Sequence, residues 1–583
     1  MLGVTTSLTG RRWVGPTDAT TRAAEALFQH HQLPFHLCHI LARQGVGSDQ
    51  VDDYLAPSIK SLLPDPRTLR DCDVAAGRIV TAAQNRERVA IFADYDVDGA
   101  SSGALLHDFL AHFQCPPTLY VPDRIDEGYG PNAPAMQQLA SGHDLIICVD
   151  CGTLSHDALA AVQGSDTDVI VLDHHLGGET LPPALAVVNP NRQDESGDLA
   201  HLCAAAVVFL VLVEAARQLR AQNVAPPDLL GMLDLVGLAT VADVAPLIGV
   251  NRAFVRQGLK IMGQRKRIGL NALCDVARID SHPTAYHLGY VLGPRINAGG
   301  RIGAADLGLR LLTAQSPDQA TNLAAQLDGL NTDRRGVEAL VSQAALAQVD
   351  ARSNMGGLAW AADDGWHPGI VGIVASRLKE KTNRPSVVIG FDGDNGKGSG
   401  RSVAGVDLGA AIQRLASEGL IEKGGGHKMA AGLSLHKSQL APAMERLDHL
   451  LSAQGADALG PADLKVDAVL MADVISVDLI EALDTAGPFG ASAPAPRFAL
   501  PAMTLKYSKR VGENHLKVTL SDGMGHSIDG IIFSAFDSVM GQILSDSSGE
   551  KFHFAGRIEA NTWGGRTRPQ IKIEDVAYVT PDS

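Results

Sequence analysis

The segment VAIFADYDVDG, residues 89–99, decides the fold. The apolar run VAIFA is followed at once by aspartates at alternate positions, Asp94, Asp96 and Asp98. From 101 to 113 the apolar side chains then follow a helical pattern. A short apolar run that ends in a polar turn and continues as a helix is typical of a buried strand in a parallel α/β sheet.

The same arrangement recurs twice downstream, as LIICV before Asp150 and as DVIVL before Asp173. The carboxyl ends of strands in an open parallel sheet form the ligand-binding edge, so we expect these aspartates to converge there with Asp94, Asp96 and Asp98. Taken alone, the motif at 94–98 fits a calcium-binding or solvent-facing turn equally well. Convergence of independent strands favours a centre for divalent cations, and His174 and His175 complete a mixed ligand set that suits manganese or magnesium better than zinc.

Two further features bear on metal binding. Asp243 lies in TVADVAPL, inside an otherwise apolar helical pattern, and a buried carboxylate there needs a charged partner such as a metal. Cys148 and Cys151 form a CxxC pair, but no second pair accompanies it. Since structural zinc requires four ligands, we predict that these are core thiols.

The predicted fold class is α/β with several domains. Apolar periodicity and the Gly/Pro-rich breaks indicate the following segments: an N-terminal helical cap over 1–75, a parallel-sheet domain over 76–305, a connecting helix over 306–351, a second α/β domain over 352–455 and a small antiparallel β-domain over 456–583.

Composition limits the class of protein. The 583 residues carry 49 basic and 65 acidic side chains, a net charge of −16, which excludes a uniformly basic surface but leaves room for a local basic groove. The longest uncharged apolar run, 202–213, is shorter than the roughly 18 residues of a membrane span, and the first residues lack a secretory pattern. With 7 cysteines, an odd number, we predict a cytoplasmic protein without a disulfide framework.

The ordered set DYDVDG, VDCG, DHH and VADVAPL resembles the DHH phosphoesterase superfamily, and GGGHKMAAG resembles its companion DHHA1 domain. Over nearly the whole chain, including GPRINAGGRIG, HPGIVGIVASRL and GSGRS, the sequence is similar to the branch of single-strand-specific 5′ to 3′ exonucleases. The resemblance implies a DHH domain, a DHHA1 domain and a C-terminal OB-type fold. One departure is Ser492 and Ala493, where the family has glycine and asparagine after GPFG.

The resemblance also implies two divalent cations, Mn²⁺ or Mg²⁺, which would activate water on the scissile phosphodiester. Asp94, Asp96 and Asp150 would hold one ion, and Asp98, Asp150, His174 and Asp243 the other, so that Asp150 bridges them. Asp173 would orient a histidine, and His175 would approach the phosphate. The residues alone leave the division of ligands between the two ions open, and for His175 a core histidine is the alternative.

Binding residues follow from the same comparison. Glycine-rich turns and helix N-termini accommodate phosphates, and arginines clamp them, although each arginine could instead form a surface ion pair. Trp563 in NTWGGRTRPQ is the candidate for stacking on bases. The full set of expected DNA-contacting residues is Arg124, Arg295, Asn297, Arg301, His367, Arg377, Ser399, Arg401, Gly425, Gly426, His427 and Trp563.

These observations predict a metal-dependent exonuclease that degrades single-stranded DNA from the 5′ end in a cleft between the two α/β domains. The resemblance implies a monomer that serves DNA repair and recombination, including mismatch repair, beside single-strand-binding protein and a RecQ-type helicase, without membrane contact. A DHH phosphoesterase of oligoribonucleotides or cyclic dinucleotides is the first alternative, but a small substrate needs neither the long helix nor the β-domain. A non-catalytic DNA-binding scaffold is the second, and it would have lost metal ligands that are all present here.

Overall fold

The computed structural model describes residues 1–123, 127–352, 356–563 and 565–579, apart from the Trp563 side chain. The chain forms two compact units. The first unit comprises Asp18–Asn331 and Glu481–Ala495, and the second comprises Met1–Thr17, Thr332–Ile480 and Pro496–Ser583.

The N-terminal segment is divided between these units. Its elements are β1 (Trp13–Val14), α1 (Asp18–His31), α2 (Phe35–Arg43), α3 (Val51–Leu55) and α4 (Ile59–Leu62). Strand β1 pairs in parallel with Leu464–Lys465, and the buried indole N–H of Trp13 donates a hydrogen bond of 2.9 Å to Asp575 Oδ2. The helical cap predicted over 1–75 therefore begins at α1, because the residues before it pack with the C-terminal β-domain.

A five-stranded parallel sheet forms the centre of the first unit, in the order β3-β2-β4-β5-β6. Alternate side chains of β2 fill the cores on its two faces, and Cys148 and Cys151 are buried in one of these cores, as predicted. The elements are α5 (Cys72–Asn85), β2 (Val89–Ala93), α6 (Val97–His112), β3 (Thr118–Tyr120), α7 (Ala133–Ala140), β4 (Leu145–Val149), α8 (His156–Ala160), β5 (Asp168–Leu172) and β6 (Ala186–Val188).

The register of this sheet brings three strand ends to one level. The last residues of β2, β4 and β5 are direct partners across the sheet: Ala93, Val149 and Leu172. Each is followed immediately by an aspartate, namely Asp94, Asp150 and Asp173. Three carboxylates therefore leave the sheet at the same edge.

Helices complete the first unit. They are α9 (Ala204–Ala221), α10 (Leu233–Ala242), α11 (Val250–Met262), α12 (Ile268–Val276), a π-helical turn (His287–Leu292), α13 (Gly293–Ile302) and α14 (Leu307–Leu312). Helix α10 is buried over most of its length, which explains its almost continuous apolar sequence.

The long helix α15 (Pro317–Asp350) follows. It begins later than the predicted position 306, because the residues after 306 form the separate helix α14. Ser316 caps α15 by accepting a hydrogen bond of 3.2 Å from Gln319 N. Proline suits the first helical position, where its missing N–H has no partner to lose.

The second unit contains an α/β domain and a closed β-barrel. The sheet order of the α/β domain is β10-β11-β9-β8-β7, with β7 and β8 parallel and the other pairs antiparallel. Its elements are β7 (Ala359–Asp364), α16 (Pro368–Thr382), β8 (Ser386–Asp392), β9 (Asn395–Arg401), α17 (Leu408–Ser417), β10 (Lys423–His427), β11 (Ala430–His436) and α18 (Leu440–Ser452).

The barrel closes through the pairing of β14 with β17. It is mainly antiparallel, as predicted, with parallel pairs β13–β14 and β16–β18. The elements of the C-terminal region are β12 (Leu464–Lys465), β13 (Ala468–Val469), α19 (Val477–Asp484), β14 (Phe498–Val511), β15 (His515–Ser521), β16 (Ser527–Ile532), α20 (Val539–Asp546), β17 (Lys551–Trp563) and β18 (Arg566–Tyr578). None of the described helices is long and apolar enough to cross a bilayer. The predicted fold class is confirmed.

Candidate metal centre

The turn between β2 and α6 positions the first carboxylates. Asp96 caps α6, since its Oδ1 accepts hydrogen bonds from Asp98 N at 2.8 Å and Gly99 N at 3.1 Å. A Cβ at Gly99 would lie 2.3 Å from the Asp94 carbonyl oxygen, so only glycine allows the chain to turn this tightly. The motif DYDVDG therefore holds three carboxylates within a single turn.

Asp98 is bound by the N-terminus of α9. It is 1% exposed, and its two oxygens accept hydrogen bonds from Ala204 N at 2.7 Å and Ala205 N at 2.8 Å. The helix terminus favours negative charge. Even so, burial and the neighbouring Asp96 raise the pKa of Asp98 above its ordinary value. This carboxylate needs more positive charge than the helix provides.

Asp150 lies at the centre of the cluster. It adopts a left-handed backbone conformation with φ 59° and is 2% exposed. Its Oδ1 accepts no hydrogen bond, and His174 Nε2 lies 3.3 Å away. Burial, followed by repulsion from the other aspartates, raises the pKa of Asp150 well above its ordinary value. A buried carboxylate oxygen without a hydrogen bond is the group that a cation would satisfy.

His174 faces three carboxylates through one nitrogen. Besides Asp150, its Nε2 lies 3.7 Å from Asp98 Oδ2 and 3.8 Å from Asp243 Oδ2. These distances exceed those of strong hydrogen bonds, which leaves space among the four side chains.

Asp173 orients the neighbouring histidine. Its Oδ1 lies 2.8 Å from His175 Nδ1 and accepts a bond of 2.7 Å from His174 N, while Oδ2 accepts one from Thr153 N at 3.1 Å. Burial alone would raise the pKa of Asp173, but the bonds from His175 and Thr153 hold it below its ordinary value. For His175, burial lowers the pKa and the bond to Asp173 outweighs it, raising the pKa to about 9. In the metal-free protein His175 is therefore cationic at neutral pH.

Asp243 is placed differently from the prediction. It directly follows α10 rather than lying inside it, and its side chain is 26% exposed rather than fully buried. The helix ends without a glycine, because Val244 adopts the left-handed conformation with φ 59°. Burial, together with Asp98 and Asp96, raises the pKa of Asp243 to about 9.

The candidate ligand atoms form three groups, and the atoms of each group are no more than 4.8 Å apart. The groups are Asp94, Asp96 and Asp150; Asp98, His174 and Asp243; and Asp150, His174 and His175. In the described part of the chain, the two histidines are the only basic side chains within 4 Å of Asp98, Asp150 and Asp243. Carboxylate oxygens with one or two imidazoles suit Mn²⁺ or Mg²⁺. The donor set and the Asp150 oxygen without a hydrogen bond thus fit divalent cations.

Three residues near the centre were not predicted. Tyr129 Oη donates a hydrogen bond of 3.1 Å to the Asp150 carbonyl and lies 3.2 Å from His175 Nε2. No sequence pattern marks this tyrosine. Asn189 and Asn191 follow β6, and their amides donate bonds of 2.8 and 2.6 Å to the carbonyl oxygens of His175 and His174. The strand-end rule applied to β6 would have identified both.

Helix α13 carries three of the predicted DNA-contacting residues. Asn297 Oδ1 accepts a hydrogen bond of 3.0 Å from Val97 N and so joins this helix to the metal centre. Arg295 forms an ion pair of 2.8 Å with Asp328, the structural alternative to a phosphate clamp. Arg301 lies half-buried in the last turn.

In the second unit, Ser399 and Arg401 lie together on β9. Arg401 Nη1 donates a hydrogen bond of 2.9 Å to Ser399 Oγ. A Cβ at Gly372 would lie 3.1 Å from that oxygen and 3.2 Å from Arg401 Nη2, so this glycine of α16 leaves them room. His367 caps the same helix by accepting a bond of 3.1 Å from Gly369 N.

The remaining predicted contacts are more dispersed. Arg377 is 60% exposed and pairs with Glu338 and Glu380. Gly425, Gly426 and His427 form the end of β10, where His427 is exposed. Arg124 and the Trp563 side chain lie outside the described residues.

Family models match three parts of the chain: the DHH family N-terminal domain at 88–240, the DHHA1 domain at 346–453 and the RecJ OB domain at 466–575. The chain is 35% identical over 563 residues to the single-stranded-DNA-specific exonuclease RecJ of Salmonella typhimurium, covering 93% of this chain and 96% of that protein. It is also 35% identical to the Escherichia coli protein of that name, with 94% and 96% covered.

Solved structures give the same result. The crystal structure of RecJ from Thermus thermophilus in complex with Mn²⁺ matches with a TM-score of 0.79 and 26% identity, over 97% of this chain and 79% of that one. The Mg²⁺ complex of that protein matches with a TM-score of 0.73 and 25% identity, over 98% and 79%.

Proposed function

The chain belongs to the RecJ family of single-stranded-DNA-specific exonucleases, and we propose that it removes nucleotides from the 5′ end of single-stranded DNA. The observation that carries the chemistry is Asp150, whose buried Oδ1 accepts no hydrogen bond at the point where three strand ends meet.

The cofactor is a divalent cation, Mn²⁺ or Mg²⁺. In this proposal two ions are bound, one by Asp94, Asp96 and Asp150 and the other by Asp98, Asp150, His174 and Asp243. When bound, they supply a nucleophile from water at neutral pH and neutralise charge on the phosphate.

The chain's own groups orient the substrate. Asp173 holds His175 Nδ1, and Tyr129 lies at Nε2, so the imidazole keeps one orientation. Because 46% of the His175 side chain is exposed, an incoming phosphate oxygen can take the place of Tyr129 Oη at Nε2 and accept a hydrogen bond from the imidazole.

The barrel of the second unit supports the choice of single strands. Phe533 and Tyr507 are 49% and 52% exposed, and Lys572 Nζ lies 4.7 Å from the centre of the Phe533 ring. Exposed rings beside cations bind successive bases without reading sequence, but a base pair hides its faces from them.

Recognition of the 5′ end is assigned to Ser399 and Arg401. A 5′-phosphate is the most distinctive group at that end, and a guanidinium beside a hydroxyl matches its oxygens. The space that Gly372 leaves at these two side chains supports the assignment.

The test of direction uses one oligonucleotide labelled at either end. The purified protein with Mn²⁺ should release the 5′ label as a mononucleotide at the earliest times, while the 3′-labelled strand shortens progressively. Immediate release of the 3′ label would reverse the proposed direction, and internal cuts at early times would refute exonuclease action.

The cellular setting follows from the same membership. We assign the protein to DNA repair in the cytoplasm as a monomer, acting on strands that a RecQ-type helicase unwinds and single-strand-binding protein covers. The 7 cysteines are all buried and free, which supports a reducing compartment.

A further inference from the structure

Two exposed tyrosines form a stacked pair on the π-helical turn that packs against the end of α10. Tyr286 directly precedes the π-helical turn, Tyr290 lies within it four positions later, and the two residues are 59% and 75% exposed. Their ring centres are 5.3 Å apart with an angle of 24° between the planes. Leu288 and Leu292 of the same turn are fully buried, so the helix is anchored while the rings face solvent.

The turn packs against the end of α10. A Cβ at Gly289 would lie 3.2 Å from Val241 Cγ1, and one at Gly293 would lie 3.3 Å from Ala242 Cβ. Asp243, the next residue, reaches His174 at 3.8 Å. The tyrosine pair is therefore fixed to the element that ends in a candidate metal ligand.

Exposed apolar side chains follow the candidate ligands along the chain: Leu154 at 62%, Leu176 at 66% and Val244 at 70%. Val244 also has a φ of 59°, a backbone conformation that is energetically unfavourable for a β-branched residue. Such strained conformations occur mainly in functional loops. Exposed apolar side chains at these positions suit nucleobases, which are flat and weakly polar.

We propose that Tyr286 and Tyr290 are a base-stacking platform for single-stranded DNA in the first unit, separate from the barrel. A base that stacks on the free face of Tyr290 continues the existing stack. Aromatic stacking accepts every base, as a nuclease without sequence preference requires. This inference rests on the proposed function and names a binding element for it.

The experiment compares Tyr290→Ala, Tyr290→Phe and Phe28→Ala with the wild type in the full-length protein. Phe28 is a matched control because it is also an exposed helical ring, 46% exposed and paired with Phe35. With oligo-dT and Mn²⁺, Tyr290→Ala should raise KM about tenfold with little change in kcat, while Tyr290→Phe and Phe28→Ala should behave as the wild type. Binding of labelled oligo-dT in Ca²⁺, measured by anisotropy, should weaken about tenfold in the same variant alone.

A second measurement localises the stacked base. One abasic site is moved stepwise along the oligonucleotide, and wild-type affinity should fall at a particular distance from the 5′ end. Tyr290→Ala should lose that position dependence, because the base and the ring act as one contact. If Tyr290→Ala has the affinity and KM of the wild type, the base-stacking proposal is refuted, and binding of a protein partner becomes the explanation for the exposed rings. A wild-type protein that does not degrade the strand would instead refute the proposed function, and the anisotropy result would still decide the platform.

Discussion

The substitution Asp243→Asn should stabilise the metal-free protein while it removes function. The pKa of Asp243 is raised from 3.8 to about 9, because burial and the carboxylates of Asp98 and Asp96 disfavour its charge. Above pH 3.8 the unfolded chain releases this proton and the folded protein retains it, so stability falls as the pH rises toward 9. Asparagine has no proton to release and escapes this loss.

The size of the stability change follows from the pH range over which the folded protein keeps the Asp243 proton and the unfolded chain does not. Between 3.8 and a working pH of about 7.5, at about 1.4 kcal/mol per pH unit, the loss reaches about 5 kcal/mol. This is an upper bound, because the side chain is 26% exposed and water screens part of the repulsion. We expect about 2–3 kcal/mol, or a rise in Tm of about 3–4 °C for a unit of this size.

The assay is thermal unfolding in EDTA and in Mn²⁺, at pH 7.5 and pH 5. In EDTA at pH 7.5, Asp243→Asn should melt above the wild type, and the difference should shrink at pH 5. Excess Mn²⁺ should reverse the order, since a bound cation stabilises only the protein that can hold it. Asp350→Asn, at the exposed end of α15, is the matched control and should match the wild type throughout. A variant that melts at or below the wild type in EDTA at pH 7.5 would refute this reasoning.

Three further outcomes are expected. Asp150→Ala should abolish nuclease activity and Mn²⁺ binding measured by calorimetry, because both proposed ligand sets use this residue; a near wild-type rate would disprove the shared ligand. Arg252→Met should lower the free energy of unfolding, measured in urea, by about 3 kcal/mol. The buried guanidinium donates hydrogen bonds to the carbonyls of Ala486 and Gly487 and stacks on Tyr54. A change below about 0.5 kcal/mol would show that these contacts do not stabilise the fold. Arg401→Ala should slow degradation of 5′-phosphorylated strands roughly ten- to a hundredfold and narrow their advantage over 5′-hydroxyl strands; an unchanged preference would exclude the end pocket.

The convergence of the strand-end carboxylates was largely predictable because it depends on local rules. Buried strands of equal length in a parallel sheet end at one level. The residues that follow them therefore lie close together, independently of how the rest of the chain folds. Asp94, Asp150 and Asp173 follow such strands. Asp243 was harder to place, since α10 ends at a left-handed valine instead of a glycine and the apolar pattern runs past it.

Long-range packing was not predictable from local patterns. Trp13 belongs to the C-terminal barrel because one hydrogen bond to Asp575 and a two-residue strand hold it there, across most of the chain. The turn after Gly487 returns to the first unit because Arg252 binds its carbonyls and Leu247 N donates to Ala491 O at 2.9 Å. These contacts join segments more than 200 residues apart, and neither partner carries a periodic signal.

The most direct test of the central claim is one nuclease assay on labelled single-stranded and blunt duplex DNA of the same sequence. The full-length protein should degrade the single strand with Mn²⁺ or Mg²⁺, lose this activity in EDTA and regain it when the cation is restored, and leave the duplex largely intact. Degradation that continues in EDTA, or equal rates on the two substrates, would contradict the account.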